Sequence, residues 1–478
     1  MTLKELKELL ASTGASNKSI SDIIAKLKSR PEALDLKTFR EQYSPKGHDT
    51  MSTVERPDKQ IKKPNPEDPE KTIDAIEKVN RLALPMQKII VKRAVSFLFG
   101  NPVKINSEAK KEQEKQVLNA LNRILKDCKI NSFNRRIAKD LFRSTEIAEC
   151  WYPVEKQENH STYGFDTKFK IRVMAFSPWD GNDLYPLFDD TGDMIAFSRA
   201  YTRKDDEGKE VKYFETYTDD EKLVWVQKDA TWEEPQRTPN IIKKIPVIYG
   251  KQDGVEWADV QTCIERLEYL LSNFADTNDY HASPKIFVEG ELTGFSKKGE
   301  SGAILQGTSG TKAYYLSWDH ATDAVKLEIE TLLRFIYTFT QTPDISFDSV
   351  KGLREISGEA LKMLFLDAHL KVQEKREVFD EYLERRTNII KAYLGYVNTT
   401  LKTFADNMDI ESEVQPFIIN DVAATIKQLT EATAGKAILS QRTAVAQSGL
   451  VDNVDQEMQY LQEERDQAAE RDVFERTV

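Results

Sequence analysis

Cysteine and histidine are scarce in this chain of 478 residues, which holds three of the first and five of the second. Cys128, Cys150 and Cys263 follow no ligand or framework spacing. That excludes a disulfide scaffold and a zinc finger, and it suits a reducing cytoplasm. His48, His160, His281, His320 and His369 are equally dispersed, so no metal site is expected. Long apolar runs are missing too, which excludes a membrane-spanning helix. The opening Met1–Leu10, rich in lysine and glutamate, is no signal peptide.

The motifs of catalysis are also absent. There is no G-x-x-x-x-G-K-[ST], H-E-x-x-H, C-x-x-C or G-x-S-x-G. Gly307-Thr308-Ser309-Gly310 lacks the lysine and helix start of a phosphate loop and reads as a strand turn. Asp319-His320 sits where an aspartate caps a helix. Glu233-Glu234 and Glu463-Glu464 read as solvated acids, and Asp189–Asp193 as a hairpin turn without the other ligands of a calcium loop. No enzyme and no cofactor are expected.

Positive charge is in deficit. The net charge is -11, and it is uneven. Leu401–Val478 holds fifteen acids and seven bases, 7 − 15 = -8, while Asp259–Pro284 holds five acids and only Arg266. Tight DNA binding requires bases to neutralise phosphates, so a general high-affinity DNA binder is excluded. A duplex that must slide without sticking is not.

What remains is a soluble, core-forming chain. It is 40% hydrophobic and 31% charged, with a mean hydropathy of -0.55. Its centre reads as helix, glycine-rich insert, helix, loop, long helix. Val260, Ile264, Leu267, Leu271 and Phe274 step along one face of a helix over about 259–281, which Pro284 ends. Val325, Ile329, Leu332, Ile336 and Phe339 repeat the stepping over about 321–342, ended by Pro343. The polar stretch Asp344–Ile356 follows. Then a helix from Ser357 to about Asn398 would reach on the order of 60 Å. Its stripe of Phe365, Ala368, Val372, Phe379, Tyr382, Ile389, Tyr393 and Tyr396 is interrupted at Lys375 and Arg386. Such a length suits a helix that spans an assembly.

Around this centre, residues 1–30 read as two short helices. Pro31–Pro69, broken by six prolines, reads as an exposed, mobile arm. Ile73–Phe99 reads as helical with a break at Pro85, stopped at Gly100 by a glycine taking positive φ. Two helices over 108–142 precede strands near 148–155, 169–178, 194–202, 212–218, 222–227 and 245–249. Three helices close the chain after residue 422.

The order of these parts resembles the portal proteins of long-tailed bacteriophages. The resemblance rests on Leu82-Ala83-Leu84-Pro85, Phe97-Leu98-Phe99-Gly100-Asn101-Pro102-Val103, Lys244-Ile245-Pro246-Val247-Ile248 and Ser272-Asn273-Phe274-Ala275-Asp276. It rests also on Pro343-Asp344, Ile356-Ser357-Gly358-Glu359-Ala360-Leu361-Lys362 and Leu439-Ser440-Gln441-Arg442-Thr443. It implies an α+β, helix-rich portal fold. N-terminal helices and the arm occupy 1–71, and a mixed α/β wing 72–257. Stem helices at 258–284 and 320–343 flank a small α/β clip at 285–319. A tunnel loop at 344–356 leads to a long helix at 357–400 and a helical crown at 401–478. The two stepped stripes become the oligomer interface. Ser346, Asp348, Ser349, Lys351 and Arg354 become the DNA-channel residues.

The implied partners are about twelve copies of the chain in a ring, sliding double-stranded DNA, a terminase packaging motor and a head-tail adaptor. Major capsid and scaffold proteins complete the set, with no membrane. The implied place is the virion's capsid vertex, after assembly in the host cytoplasm. A coiled-coil structural adaptor without DNA contact is the competing reading. It has no use for an insert between two matched helices. A virion nuclease would need clustered Asp, Glu and His.

Overall fold

A computed structural model describes residues 2–11, 17–28, 34–65, 68, 71–228, 231–281, 285–290, 292–294, 306–316, 322–344, 365–417, 422–451 and 453–475. The chain divides into a larger unit, Met1–Pro343 with Asp367–Phe417, and a smaller one, Asp344–Leu366 with Ile418–Val478.

In the larger unit, α1 (Leu3–Ala11) and α2 (Asn17–Leu27) precede α3 (Leu36–Tyr43). Strands β1 (Lys59–Pro64) and β2 (Thr72–Glu77) pair antiparallel, Lys59 opposite Glu77. Helices α4 (Met86–Phe99), α5 (Glu112–Asp127) and α6 (Ile130–Ser144) follow, with β3 (Lys104–Asn106) between the first two. A three-stranded antiparallel sheet has the order β12 (Val247–Lys251), β4 (Glu146–His160), β5 (Thr167–Phe176). A second, six-stranded sheet runs β10 (Thr231–Trp232), β9 (Glu221–Lys228), β8 (Glu210–Tyr217), β7 (Met194–Lys204), β6 (Asp183–Phe188). β11 (Gln236–Pro239) also pairs with β9. The turns at Asp189–Asp193, Asp205–Gly208 and Thr218–Glu221 join neighbouring strands of this sheet, as their sequences predict.

The six-stranded sheet is covered on both faces. Leu6, Leu10, Ile20, Ile23, Ile24 and Leu27 of α1 and α2 pack on Ile195, Phe214, Leu223 and Trp225. On the other side Phe197 and Tyr217 meet Ala148, Cys150, Phe176 and Val247 of the smaller sheet. Period-two alternation along β8 and β9, with a bulge at Ile195 of β7, is what lets one sheet serve two cores.

Helix α7 (Gln261–His281) and helix α8 (Thr322–Phe339) flank β13 (Lys285–Glu289), β14 (Leu292–Gly294), β15 (Gln306–Gly307) and β16 (Lys312–Leu316). There β13 pairs with β16, and β14 with β15. The long helix α9 (Leu366–Val397) leads to α10 (Lys402–Asn407) and β17 (Glu411–Glu413), which pairs back to β3. The smaller unit holds α11 (Val422–Thr433), α12 (Gln441–Ser448) and α13 (Val454–Glu475).

The stripe of α9 is buried inside the chain except at Tyr396, which is 41% exposed. Phe379 meets Phe99 at 5.0 Å and Phe142 at 6.3 Å between ring centroids. The Tyr393 hydroxyl donates to the Trp151 carbonyl at 2.9 Å. β12 approaches so closely that a Cβ on Gly250 would stand 3.1 Å from the Tyr382 ring.

Three local expectations change. Residues 72–77 form a strand, and helix begins only at Met86. The β-branched Thr72, Ile73 and Ile76 favour the extended chain, and Pro85 starts the helix instead of breaking it. The proline-broken arm holds α3, two 3₁₀ turns and β1, with Tyr43, His48, Thr50 and Arg56 buried. Its prolines space short elements that dock. Gly100 takes φ -65°, an ordinary helical angle. Glycine is required because a Cβ would collide with the Ser96 carbonyl and stand 3.1 Å from Phe417.

Candidate functional site

The helix pair α7 and α8 is the centre of the candidate site. On α7, Glu268, Ser272, Asp276 and Asp279 recur at helical spacing and form one polar row. At 100° per residue this row borders the apolar stripe, with Ile264 one turn before Glu268 on the same face. The arm and the segment before α4 clasp it. Glu268, 1% exposed, accepts through Oε1 from His48 Nδ1 at 2.8 Å and from the Leu84 amide at 2.6 Å. Thr50 donates to its Oε2 at 3.3 Å. The Ser272 hydroxyl accepts from the Leu82 amide at 3.0 Å.

Arg56 supplies the second half of the clasp. It donates to the Asn80 carbonyl at 2.9 Å, to Asn273 Oδ1 at 2.7 Å and to Asp276 Oδ2 at 2.5 Å. Asp276 Oδ1 also accepts from the Asn80 amide at 2.6 Å, and Asp279 accepts from the Asn80 side chain at 2.6 Å. The acids of α7 look in sequence like a phosphate-repelling wall. Glu268, Asp276 and Asp279 instead receive the chain's own donors.

His48 is held as an imidazolium. Its Nε2 faces the Gln42 carbonyl at 2.7 Å and its Nδ1 faces the Glu268 carboxylate. Both neighbours only accept, so both ring nitrogens carry protons. Burial alone would lower its pKa, but Glu268 and the Gln42 carbonyl outweigh burial and raise it above the ordinary value. A raised folded pKa stabilises the fold fully below the unfolded value of about 6.5, and the gain is lost as pH rises through the folded pKa. The melting temperature of wild type should therefore fall relative to His48→Gln between pH 6 and pH 9. A difference independent of pH would contradict this assignment.

Helix α7 also packs against α8, and Arg266 of one pairs with Glu328 of the other at 2.8 Å. The expected stripe residues separate by burial. Val260, Ile264, Leu267 and Ile336 are 0% exposed within the chain itself. Leu271, Phe274, Val325, Ile329 and Leu332 are half-buried. Phe339 is 57% exposed and stacks on the exposed Phe335 at 5.3 Å. With Leu327, 65% exposed, these form the open apolar side of α8.

Beyond α8 the chain is fixed before the expected channel loop. Lys371 on α9 donates to the Thr340 carbonyl at 2.8 Å, and Arg93 on α4 to the Pro343 carbonyl at 2.7 Å. Glu256 pairs with Lys371 at 2.6 Å and Lys375 at 2.8 Å. Burial alone would raise its pKa, but the two ammonium groups prevail and lower it. Ser346, Asp348, Ser349, Lys351 and Arg354 lie outside the described residues. Among the described residues, no group of three His, Cys, Asp or Glu is placed to hold a metal ion, and no helix is long and apolar enough to cross a membrane.

The clasp is the part that sequence reasoning missed. Its one signal was the imbalance of α7, five acids against Arg266 over Asp259–Pro284, which called for donors from elsewhere.

The family described as phage portal protein, SPP1 Gp6-like, matches residues 33–471. The portal protein of Bacillus phage SPP1 is 23% identical over 427 residues, 83% of this chain and 78% of that protein. Among solved structures, the neck of an empty gene transfer agent particle, computed with C6 symmetry, aligns at a TM-score of 0.43 and 10% identity. That alignment covers 77% of this chain and 91% of the other. The neck of the native particle, computed with C12 symmetry, aligns at 0.40 and 11%, over 77% and 89%. Since the family's pattern runs from the arm to the last helix, the chain belongs to the SPP1 Gp6-like family of phage portal proteins.

Proposed function

We propose that this protein, a structural component at the capsid vertex of a bacteriophage virion, closes into a ring of about twelve copies around a hole wide enough for duplex DNA. Genome enters through the ring during packaging and leaves through it on ejection. The α7–α8 pair forms the stem. The insert 285–319 is the clip that meets the packaging motor first and the head-tail adaptor later. Residues 344–356 line the narrowest aperture, and the outer parts meet capsid and scaffold proteins.

The observation that best supports this reading is the mounting of the loop. The chain leaves the larger unit after Pro343 and returns to it at Asp367. Thr340 and Pro343 are gripped by Lys371 and Arg93, so the chain is anchored just before residue 344. Lys351 and Arg354 offer phosphate contacts, and Asp348 and Glu355 cancel them in net charge. Weak, balanced contact lets a duplex slide.

Negative-stain microscopy of the purified protein should show rings with a central hole, and rods would overturn the reading. The double variant Lys351→Glu with Arg354→Glu should still form rings yet package or retain little genome. Full packaging by that variant would remove the loop from the channel.

A further inference from the structure

Although the chain carries a net charge of -11, one part of the larger unit is strongly basic. Residues 115–143, most of α5 with α6, hold eight bases and two acids, 8 − 2 = +6. Both acids are already engaged. Asp140 pairs with Arg143 at 2.7 Å, and Asp127 lies 3.7 Å from Lys170 and 3.4 Å from Arg172.

The contacts of Asp127 bring β5 against the end of α5. Lys168, Lys170 and Arg172 alternate along β5, so they share one face of the sheet. Arg123, one turn before Asp127, donates to the Thr162 carbonyl between β4 and β5 at 3.3 Å. Lys126 and Lys129 stand on either side of Asp127 in the chain. Six bases therefore gather around one acid. Glu112 and Glu114 lie more than three turns back, at the start of α5 beside Lys110 and Lys111. Glu155 is opposite Phe169 and belongs to the other face of the sheet. Glu158 and Asp166 sit at the turn end of the hairpin. Even with those two counted, the balance is 6 − 3 = +3.

The chemistry of this face selects its partner. Arg123, Lys126, Lys129 and Lys168 are exposed, as are Asn119, Asn122, Asn131 and Ser132 nearby in the chain. Among the described residues, Lys126, Lys129 and Lys168 pair with no acid. No large apolar side chain between residues 83 and 187 is exposed. A protein interface has an apolar centre and is poor in lysine. Phosphate oxygens are instead contacted by lysine, arginine, asparagine and serine.

We propose that the face formed by Arg123, Lys126, Lys129 and Lys168 is a second surface for double-stranded DNA, outside the channel, which meets phosphate charge and reads no sequence. It rests on the reading above that duplex DNA is the cargo, but not on residues 344–356. Four contacts give a weak hold that salt releases, with a slope of log K against log salt of about -3 to -4.

A covalently closed circular duplex cannot thread a closed ring, so its binding reports the outer surface alone. Wild-type rings should retain such circles at low salt in a filter-binding assay. Lys126→Glu/Lys129→Glu/Lys168→Glu should weaken retention by about tenfold or more and flatten the salt slope by about three. The three side chains are exposed, so melting temperature and ring formation should not change. Lys351→Glu with Arg354→Glu should bind circles as wild type does. A triple variant that holds circles as tightly as wild type would overturn the proposal and leave the ring intact. Wild-type rings that ignore circles but retain polyglutamate through the same lysines would overturn it in favour of an acidic protein partner. Rods in place of rings would remove the portal reading itself, and the microscope shows them before any DNA is added.

Discussion

Arg386→Met should cost the larger unit about 3–5 kcal/mol, the largest single-residue effect expected outside the apolar cores. Arg386 is 4% exposed and Glu149 0%. The pair is bidentate, Nε to Oε1 at 2.7 Å and Nη2 to Oε2 at 2.6 Å. Arg386 also donates to Asn134 Oδ1 at 2.6 Å, and Trp151 Nε1 donates to Glu149 at 2.8 Å. The network joins α9, α6 and β4 at one point. Methionine fills the space of the arginine stem but leaves a carboxylate in the core with one indole donor. Chemical unfolding of the purified chain measures the loss. Adding Glu149→Leu should recover a substantial part, because the isolated charge is then gone, although Trp151 and Asn134 lose partners. A single variant as stable as wild type would show that water reaches Glu149.

Arg56→Ala is expected to release the arm from α7. The substitution removes three donated hydrogen bonds, among them the charged pair with Asp276, whose side chain is 14% exposed. Charged hydrogen bonds of this kind are worth about 1.5–3 kcal/mol each before solvent enters, and the partly open site discounts them. The expected loss is about 2–4 kcal/mol, confined to the arm and ribbon. Limited proteolysis should then cut between residues 48 and 84 much faster than in wild type, while the sheet cores resist. Equal cleavage rates for variant and wild type would show that His48, Ser272 and Asp58 hold the arm without Arg56.

The apolar periodicities were legible in the sequence because they are local. The stepping of Val260, Ile264, Leu267 and Leu271 needs only 3.6 residues per turn, and the structure places a helix there. The alternation behind β7, β8 and β9 is equally local, and so are the aspartate-rich turns between them. The family was legible for another reason: its short motifs keep their order along nearly the whole chain, and order survives when identity has fallen to 23%.

Charge was legible in amount but not in destination. Lys375 and Arg386 interrupt the stripe of α9, and nothing within that helix says what they face. Their partners Glu256 and Glu149 lie more than a hundred residues earlier. The acids of α7 look solvated or repulsive until His48 and Arg56 arrive from the arm. Pairing of this kind is set by three-dimensional distance, since burial is tolerable for a charge only where a partner happens to stand.

By itself, then, the sequence determined the strongly periodic helices and strands, that the chain is acidic, and which family it belongs to. Local backbone preference and residue order suffice for those. Only the tertiary structure decided that the proline-rich arm is a clasp, that Gly100 is there for closeness and not for a turn, and which stem residues the chain buries for itself. Each of those depends on segments distant in sequence meeting in space, and periodicity within one segment holds no record of its neighbour.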